Sequence, residues 1–198
     1  MKNPLPAVFL VRDGILNEFI FDEIGQRLVP PTRPDLLCLC RRAGSFLRNL
    51  NAMGFLCLAI AGEEISVAAT SPIRRDRIQR RLRSELEGQG ARLHGIYSCN
   101  YSLREGGKVR AQSDVILEAA STHRVELHRS FLVAHELEDV IAGRSAGLAT
   151  VWVTDSPTRA AEAYTKTPEG RPDRLVGSLD EALVVIREDT RIGANPRP

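Results

Sequence analysis

The residues best placed for chemistry lie at the ends of two apolar runs. The first, Ala7-Val8-Phe9-Leu10-Val11, is rich in β-branched and aromatic side chains and stops abruptly at Arg12-Asp13-Gly14. That reads as a fully buried strand whose C-terminal end opens onto a loop. Ligands of open α/β sheets bind at the carboxyl ends of strands, so Arg12, Asp13 and Asn17 stand where chemistry usually happens. Asp13 has a plainer role available as well, satisfying backbone donors in a tight turn. The second run, Phe131–Ala134, leads into His135-Glu136-Leu137-Glu138-Asp139. A neutral imidazole is a poor Mg²⁺ ligand and a good one for transition metals, so any metal here would fall to His135, Glu136 and Asp139, with Glu63 a possible fourth. A single His at a strand end is more often a hydrogen-bonded surface group, and the reading adopted is that no metal binds.

The elements that must position these groups follow from periodicity. Apolar runs predict further strands at 55–61, 93–99 and 150–154, with Gly62-Glu63-Glu64 as the loop after the second strand. Helical spacing predicts helices over about 41–53, 72–87, 113–121, 137–146 and 179–187. Residues 18–37 contain Gly25, Pro30, Pro31 and Pro34, too many breakers for a helix, and 100–112 read as a polar loop. Strands alternating with helices predict a Rossmann-like α/β three-layer sandwich with a five-stranded parallel core sheet. One domain spans 1–188, and 189–198 form a loose tail.

Composition narrows the function classes. The chain has 198 residues and a formal charge of +2, too nearly neutral for the chain as a whole to argue for nucleic acid. Helix 72–87 is the exception, with six arginines between Arg74 and Arg83. It offers an interaction module, although solvated helix faces often carry such charge and no aromatic interleaving accompanies it. No apolar stretch reaches the roughly 20 residues that span a bilayer. Cys38, Cys40, Cys57 and Cys99 form no secreted disulfide framework. A cytoplasmic protein is expected.

The motif Val11-Arg12-Asp13-Gly14-Ile15-Leu16-Asn17-Glu18 resembles motif I of the haloacid dehalogenase (HAD) superfamily, in its histidinol-phosphate and heptose-bisphosphate phosphatase branch. The resemblance covers roughly residues 6–154 and implies the HAD-type fold. In that family the strand ends in Asp-x-Asp-Gly. The first Asp is the nucleophile that forms an aspartyl-phosphate and helps hold Mg²⁺, and the second is the general acid/base. Asp13 matches the second. The first is Val11, which offers neither a nucleophilic atom nor a metal ligand.

The other motifs depart from the family in the same direction. The Thr or Ser of motif II, which binds the phosphoryl group, is Ala61, followed by Gly62 instead of Asn. The cations of motif III fall near Val109, Arg110 and Ala111, so Arg110 is the remnant cation, with Lys108 close by. Motif IV has His135 in place of the metal-binding Asp and keeps its second acid as Asp139. Of the branch's structural zinc ligands only Cys99 remains, so no zinc is expected. The resemblance thus implies a degenerate phosphatase homologue lacking ordinary turnover, with no bound cofactor, no Mg²⁺ and a retained ligand-binding or protein-interaction role. Arg12, Asn17, Gly62 and Lys108 are its candidate ligand-binding residues, and a small phosphorylated ligand or a protein its candidate partner. The alternative is a working phosphatase of a sugar bisphosphate or of histidinol phosphate with a non-standard site.

Overall fold

A computed structural model describes residues 4–64, 71–102, 107–108 and 112–192. Strand β1 (Ala7–Val11) is buried along its whole length, which is why it can carry five consecutive apolar residues. It lies mid-sheet, pairing in parallel with β4 (Leu56–Glu64) on one side and β7 (Phe131–Ala134) on the other. Beyond β4 come β5 (Gly95–Ser102), also parallel, and then the short antiparallel β6 (Gly107–Lys108). Beyond β7 come β8 (Ala149–Val153) and β9 (Arg174–Val176), both parallel. The order is therefore β6-β5-β4-β1-β7-β8-β9.

Among the described residues the core sheet has six parallel strands rather than the five expected. The additional strand is β9. It is three residues long, and only Val176 is fully buried, so it shows neither a long apolar run nor a clean alternation. A tertiary contact holds it in place: Asp173 accepts hydrogen bonds from the Thr150 backbone N–H (2.8 Å) and hydroxyl (2.9 Å). Arg174 then reaches Asp189 on the last helix at 2.6 Å.

Helices cover both faces of the sheet. Helix α1 (Ala43–Ala52) packs with α6 (Leu179–Ile192) on one face, and α3 (Gln112–His123) with α4 (Leu137–Ser145) on the other. Helix α2 (Pro72–Gly88) buries Ile78, Leu82 and Leu86, as its spacing predicts. Helix α5 (Pro157–Lys166), which no pattern announced, packs on α4. Helix α6 runs past the expected boundary at 188 because Asp189 is a buried partner of Arg174; residues 193–198 lie outside the described residues.

Two expected loops are also corrected. Gly62-Glu63-Glu64 continues β4, in register with Cys99-Asn100-Tyr101 of β5, so the 100–112 loop is shorter than expected. The breaker-rich connection after β1 contains an antiparallel hairpin, β2 (Ile20–Asp22) with β3 (Arg27–Val29), followed by a 3-10 turn at Pro34–Leu36. No helix among the described residues is long and apolar enough to cross a membrane.

Asp173→Ala removes the acceptor for two Thr150 donors, one of them a backbone N–H at a fully buried residue. The expected loss is about 1–3 kcal/mol of unfolding free energy, read as a lower urea midpoint at unchanged m-value.

Candidate functional site

At the C-terminal edge of the sheet lies a cavity of about 340 Å³. Its floor is Val11 from β1, Gly62 from β4 and Cys99 from β5. Gln112, from the start of α3, joins the β7–α4 junction to form one wall, with His135, Glu136, Glu138 and Asp139. Phe19, Leu28 and Pro30, from the hairpin segment, edge the opening. Asp13 lines the same cavity, so the structure brings together the ends of both runs singled out in the sequence.

Backbone bonds fix the turn after β1. Arg12 stays in the sheet, its N–H donating to Ile60 O, while its own carbonyl accepts from Leu16 and Asn17. Gly14 then takes φ +84°, a conformation that a residue with a Cβ rarely adopts. The turn folds the Asp13 carboxylate between two neighbours. Arg12 grips both of its oxygens through Nε (3.1 and 3.0 Å) and reaches Oδ2 again through a terminal nitrogen at 2.8 Å. Asn17 Nδ2 donates to Oδ1 at 2.9 Å and to the Glu18 carbonyl at 3.1 Å. All three side chains are buried. Arg12 and Asn17 therefore stand behind the cavity wall and hold Asp13, and neither lines the opening. A forked guanidinium on a buried carboxylate is a strong charge-assisted pair, and it leaves little of Asp13 available to a ligand.

Facing Asp13 is His135. Its ring lies against Gly14, where an added Cβ would come within 2.8 Å of the imidazole, and its centroid is 5.4 Å from that of Phe19. Its carbonyl accepts from Trp152 Nε1 at 2.9 Å. Neither ring nitrogen meets hydrogen-bond geometry with a described residue, although Nε2 is 3.4 Å from a Glu136 carboxylate oxygen. Burial is the strongest single influence on this imidazole and disfavours its charge. Glu136, Asp139 and Asp13 together outweigh that, so the pKa is raised above the ordinary histidine value. Asp139 accepts from Gln112 Nε2 at 2.7 Å, which ties α3 to α4.

The remaining predicted positions fall in several places. Ala61 is buried within β4 and does not reach the cavity, whereas the adjoining Gly62 does. Lys108 belongs to β6, and Arg110 lies outside the described residues. No three His, Cys, Asp or Glu side chains converge as a metal site among the described residues, so His135, Glu136 and Asp139 are neighbours without forming a ligand cluster. Mg²⁺ wants several hard oxygens in octahedral array. The floor here offers an isopropyl group and a glycine, the wall carboxylates Glu136, Glu138 and Asp139 do not converge as a ligand group among the described residues, and the Asp13 oxygens are already held. The donor set does not fit Mg²⁺.

Sequence reasoning missed Phe19, Leu28, Pro30 and Gln112 as lining residues. The first three sit in a stretch whose breakers hid the hairpin, and Gln112 lay at the edge of an expected loop. The arginines of α2 are largely engaged within the chain. Arg80 pairs with Asp76, Arg81 with Glu85, and Arg83 donates to Leu93 O, while Arg74 and Arg77 are exposed.

Comparison with known proteins gives a consistent picture. A family model described as HAD-hydrolase-like matches residues 110–182. The D-glycero-D-manno-heptose-1,7-bisphosphate 7-phosphatase of Thermosynechococcus vestitus is 30% identical over 159 residues, 73% of this chain and 76% of that protein. The corresponding enzyme of Rhodopseudomonas palustris is 27% identical over 154 residues, covering 72% and 80%. Among solved structures, the D,D-heptose 1,7-bisphosphate phosphatase of B. bronchiseptica, complexed with magnesium and phosphate, superposes with a TM-score of 0.73 at 17% identity, covering 93% of this chain and 99% of that one.

Two predictions follow from the site. A group whose pKa is higher folded than unfolded stabilises the fold fully below its unfolded pKa, and that contribution is lost as pH rises through the folded pKa. Denaturation of wild type and His135→Gln across pH 5 to 9 should therefore show a wild-type advantage that is largest at the acid end and fades through the raised His135 pKa. Thiol reactivity should separate the cysteines. Burial raises the Cys40 and Cys57 thiols to about 12, whereas Cys38 is exposed. Iodoacetamide at pH 8 should label Cys38 and leave Cys40 and Cys57 essentially untouched, read by peptide mass spectrometry.

Proposed function

This chain belongs to the HAD superfamily, in the branch of the heptose-1,7-bisphosphate 7-phosphatases, and from that premise we propose that it binds a sugar-phosphate-like ligand without hydrolysing it through an aspartyl-phosphate. The observation that carries this reading is Val11. It ends β1 on the cavity floor, where the family resemblance calls for the nucleophilic carboxylate, and an alkyl side chain can neither attack phosphorus nor be phosphorylated. Asp13 does not substitute for it, because Arg12 and Asn17 hold both of its oxygens. The resident Mg²⁺ of the family would neutralise the transferring phosphoryl group and has no fitting ligand set here, so the proposal requires no metal.

What the cleft retains is suited to recognition. Glu136 and Glu138 present carboxylates to the hydroxyl groups of a sugar, the bonded Gln112–Asp139 pair shapes the wall beside them, and Phe19, Leu28 and Pro30 offer apolar surface to its C–H face. A second reading, a working phosphatase of a sugar bisphosphate, is favoured by the relatives, which carry that activity in their names. It would need water as the nucleophile, with Asp13 freed from Arg12 to activate it.

Assays of heptose 1,7-bisphosphate and of an aryl phosphate, with Mg²⁺, Mn²⁺, Co²⁺ and Zn²⁺ in turn, separate the two. The expected outcome is no phosphate release above the protein-free rate with any metal, together with saturable binding of heptose 1,7-bisphosphate by calorimetry. Turnover that Asp13→Asn abolishes would establish the hydrolytic reading instead.

A further inference from the structure

The hairpin over the cavity presents apolar surface that is largely uncovered among the described residues. Phe21 and Leu28 face each other across β2 and β3 and are 57% and 65% exposed, and Ile24 at the tip is 98% exposed. The tip is a formed turn. The Ile24 N–H donates to the Asp22 carboxylate at 3.2 Å, Gln26 Nε2 donates to Glu23 O, and Gln26 adopts φ +49°. These contacts hold Ile24 outward. A two-stranded hairpin is marginal by itself and gains nothing from exposing three large apolar side chains to water.

A complementary surface lies on α2. Ile73 is 67% exposed, and Arg77, one turn further on, shares its face. Arg80, Arg81 and Arg83 are engaged within the chain, and Arg77 is exposed. The hairpin turn is apolar with a net acidic balance, Asp22 and Glu23 beside Ile24 against Arg27 across the strands, and the start of α2 is apolar with a net basic balance, Arg74, Arg75 and Arg77 against Asp76. The Pro34–Leu36 turn that leads out of the hairpin packs against α2, so the connection from the hairpin runs alongside that helix.

We propose that the two patches form a two-fold interface with a second copy of the chain, in which each hairpin tip docks on the Ile73–Arg77 face of the partner's α2. Two patches of complementary character satisfy a closed two-fold pair, because each copy supplies both halves. The interface meets the cavity at Leu28, which belongs to both, so the second copy borders the opening. The inference stands independently of whether the cavity binds or hydrolyses its ligand.

Sedimentation equilibrium of the full chain over a concentration series, at low and high salt, tests it. A dimer is expected at low salt, shifting toward monomer on dilution and at high salt. Ile24→Glu should give monomer at every concentration, with an unchanged circular dichroism spectrum because the side chain is solvent-exposed in the monomer. Glu23→Arg should weaken the dimer at least tenfold, and combining it with Arg77→Glu should restore it. Wild-type monomer throughout, a dimer indifferent to Ile24→Glu, or failure of the charge exchange to restore association would each overturn the proposal.

Discussion

The ion pair between Arg12 and Asp13 organises the cleft. Both side chains are buried, and a buried charge survives only when it is paired and hydrogen-bonded. Arg12 can meet that condition because its backbone remains in the sheet, its N–H bonded to Ile60, while the next residue turns back at Gly14. Asn17 then reaches across the turn to the same carboxylate. The three residues lock the loop that leaves β1, and with it the path of the chain toward the hairpin. Removing either charge would strand the other in a dry site, so the pair constrains every residue from Arg12 to Phe19. The same closure leaves Asp13 facing the cavity with both oxygens already committed.

His135 completes that arrangement from the opposite side. Its imidazole packs against Gly14 and against the Phe19 ring. Phe19 immediately precedes β2, and the contact fixes the base of the hairpin relative to the cavity floor. The surrounding carboxylates favour the charged form of this imidazole against the cost of its burial.

Much of the fold was legible because burial writes itself into the sequence. β1 and β7 are unbroken apolar runs, and Ile78, Leu82 and Leu86 recur at helical spacing on α2. The strand ends that meet at the cavity followed from the same runs. What could not be read depends on contacts between distant residues. β9 owes its place to Asp173 bonding Thr150, and α6 is extended by Asp189 meeting Arg174; neither contact has a local pattern. The hairpin strands are three residues each and mostly exposed, below the length at which alternation is readable. Asp13, Arg12 and Asn17 were visible as residues, but their mutual pairing depends on the turn geometry, and that pairing redirects Arg12 and Asn17 from ligand to scaffold.

The position of Val11 explains why such a cleft can persist as a stable fold. A carboxylate at the buried end of a central strand is costly, because its charge has left water and the strand around it is apolar. In a metal-dependent site the cation offsets that cost, and strain or instability is tolerated where chemistry requires it. With Val11 in place the strand ends as it began, in packed hydrocarbon, and the negative charge left on this turn, at Asp13, is neutralised by Arg12 from within the chain. His135 adds no negative charge to a wall that already holds Glu136, Glu138 and Asp139, and a carboxylate at position 11 or 135 would add to their mutual repulsion. With Val11 on the floor and His135 on the wall, the described cleft is held by side-chain pairs within the chain, Arg12 on Asp13 and Gln112 on Asp139.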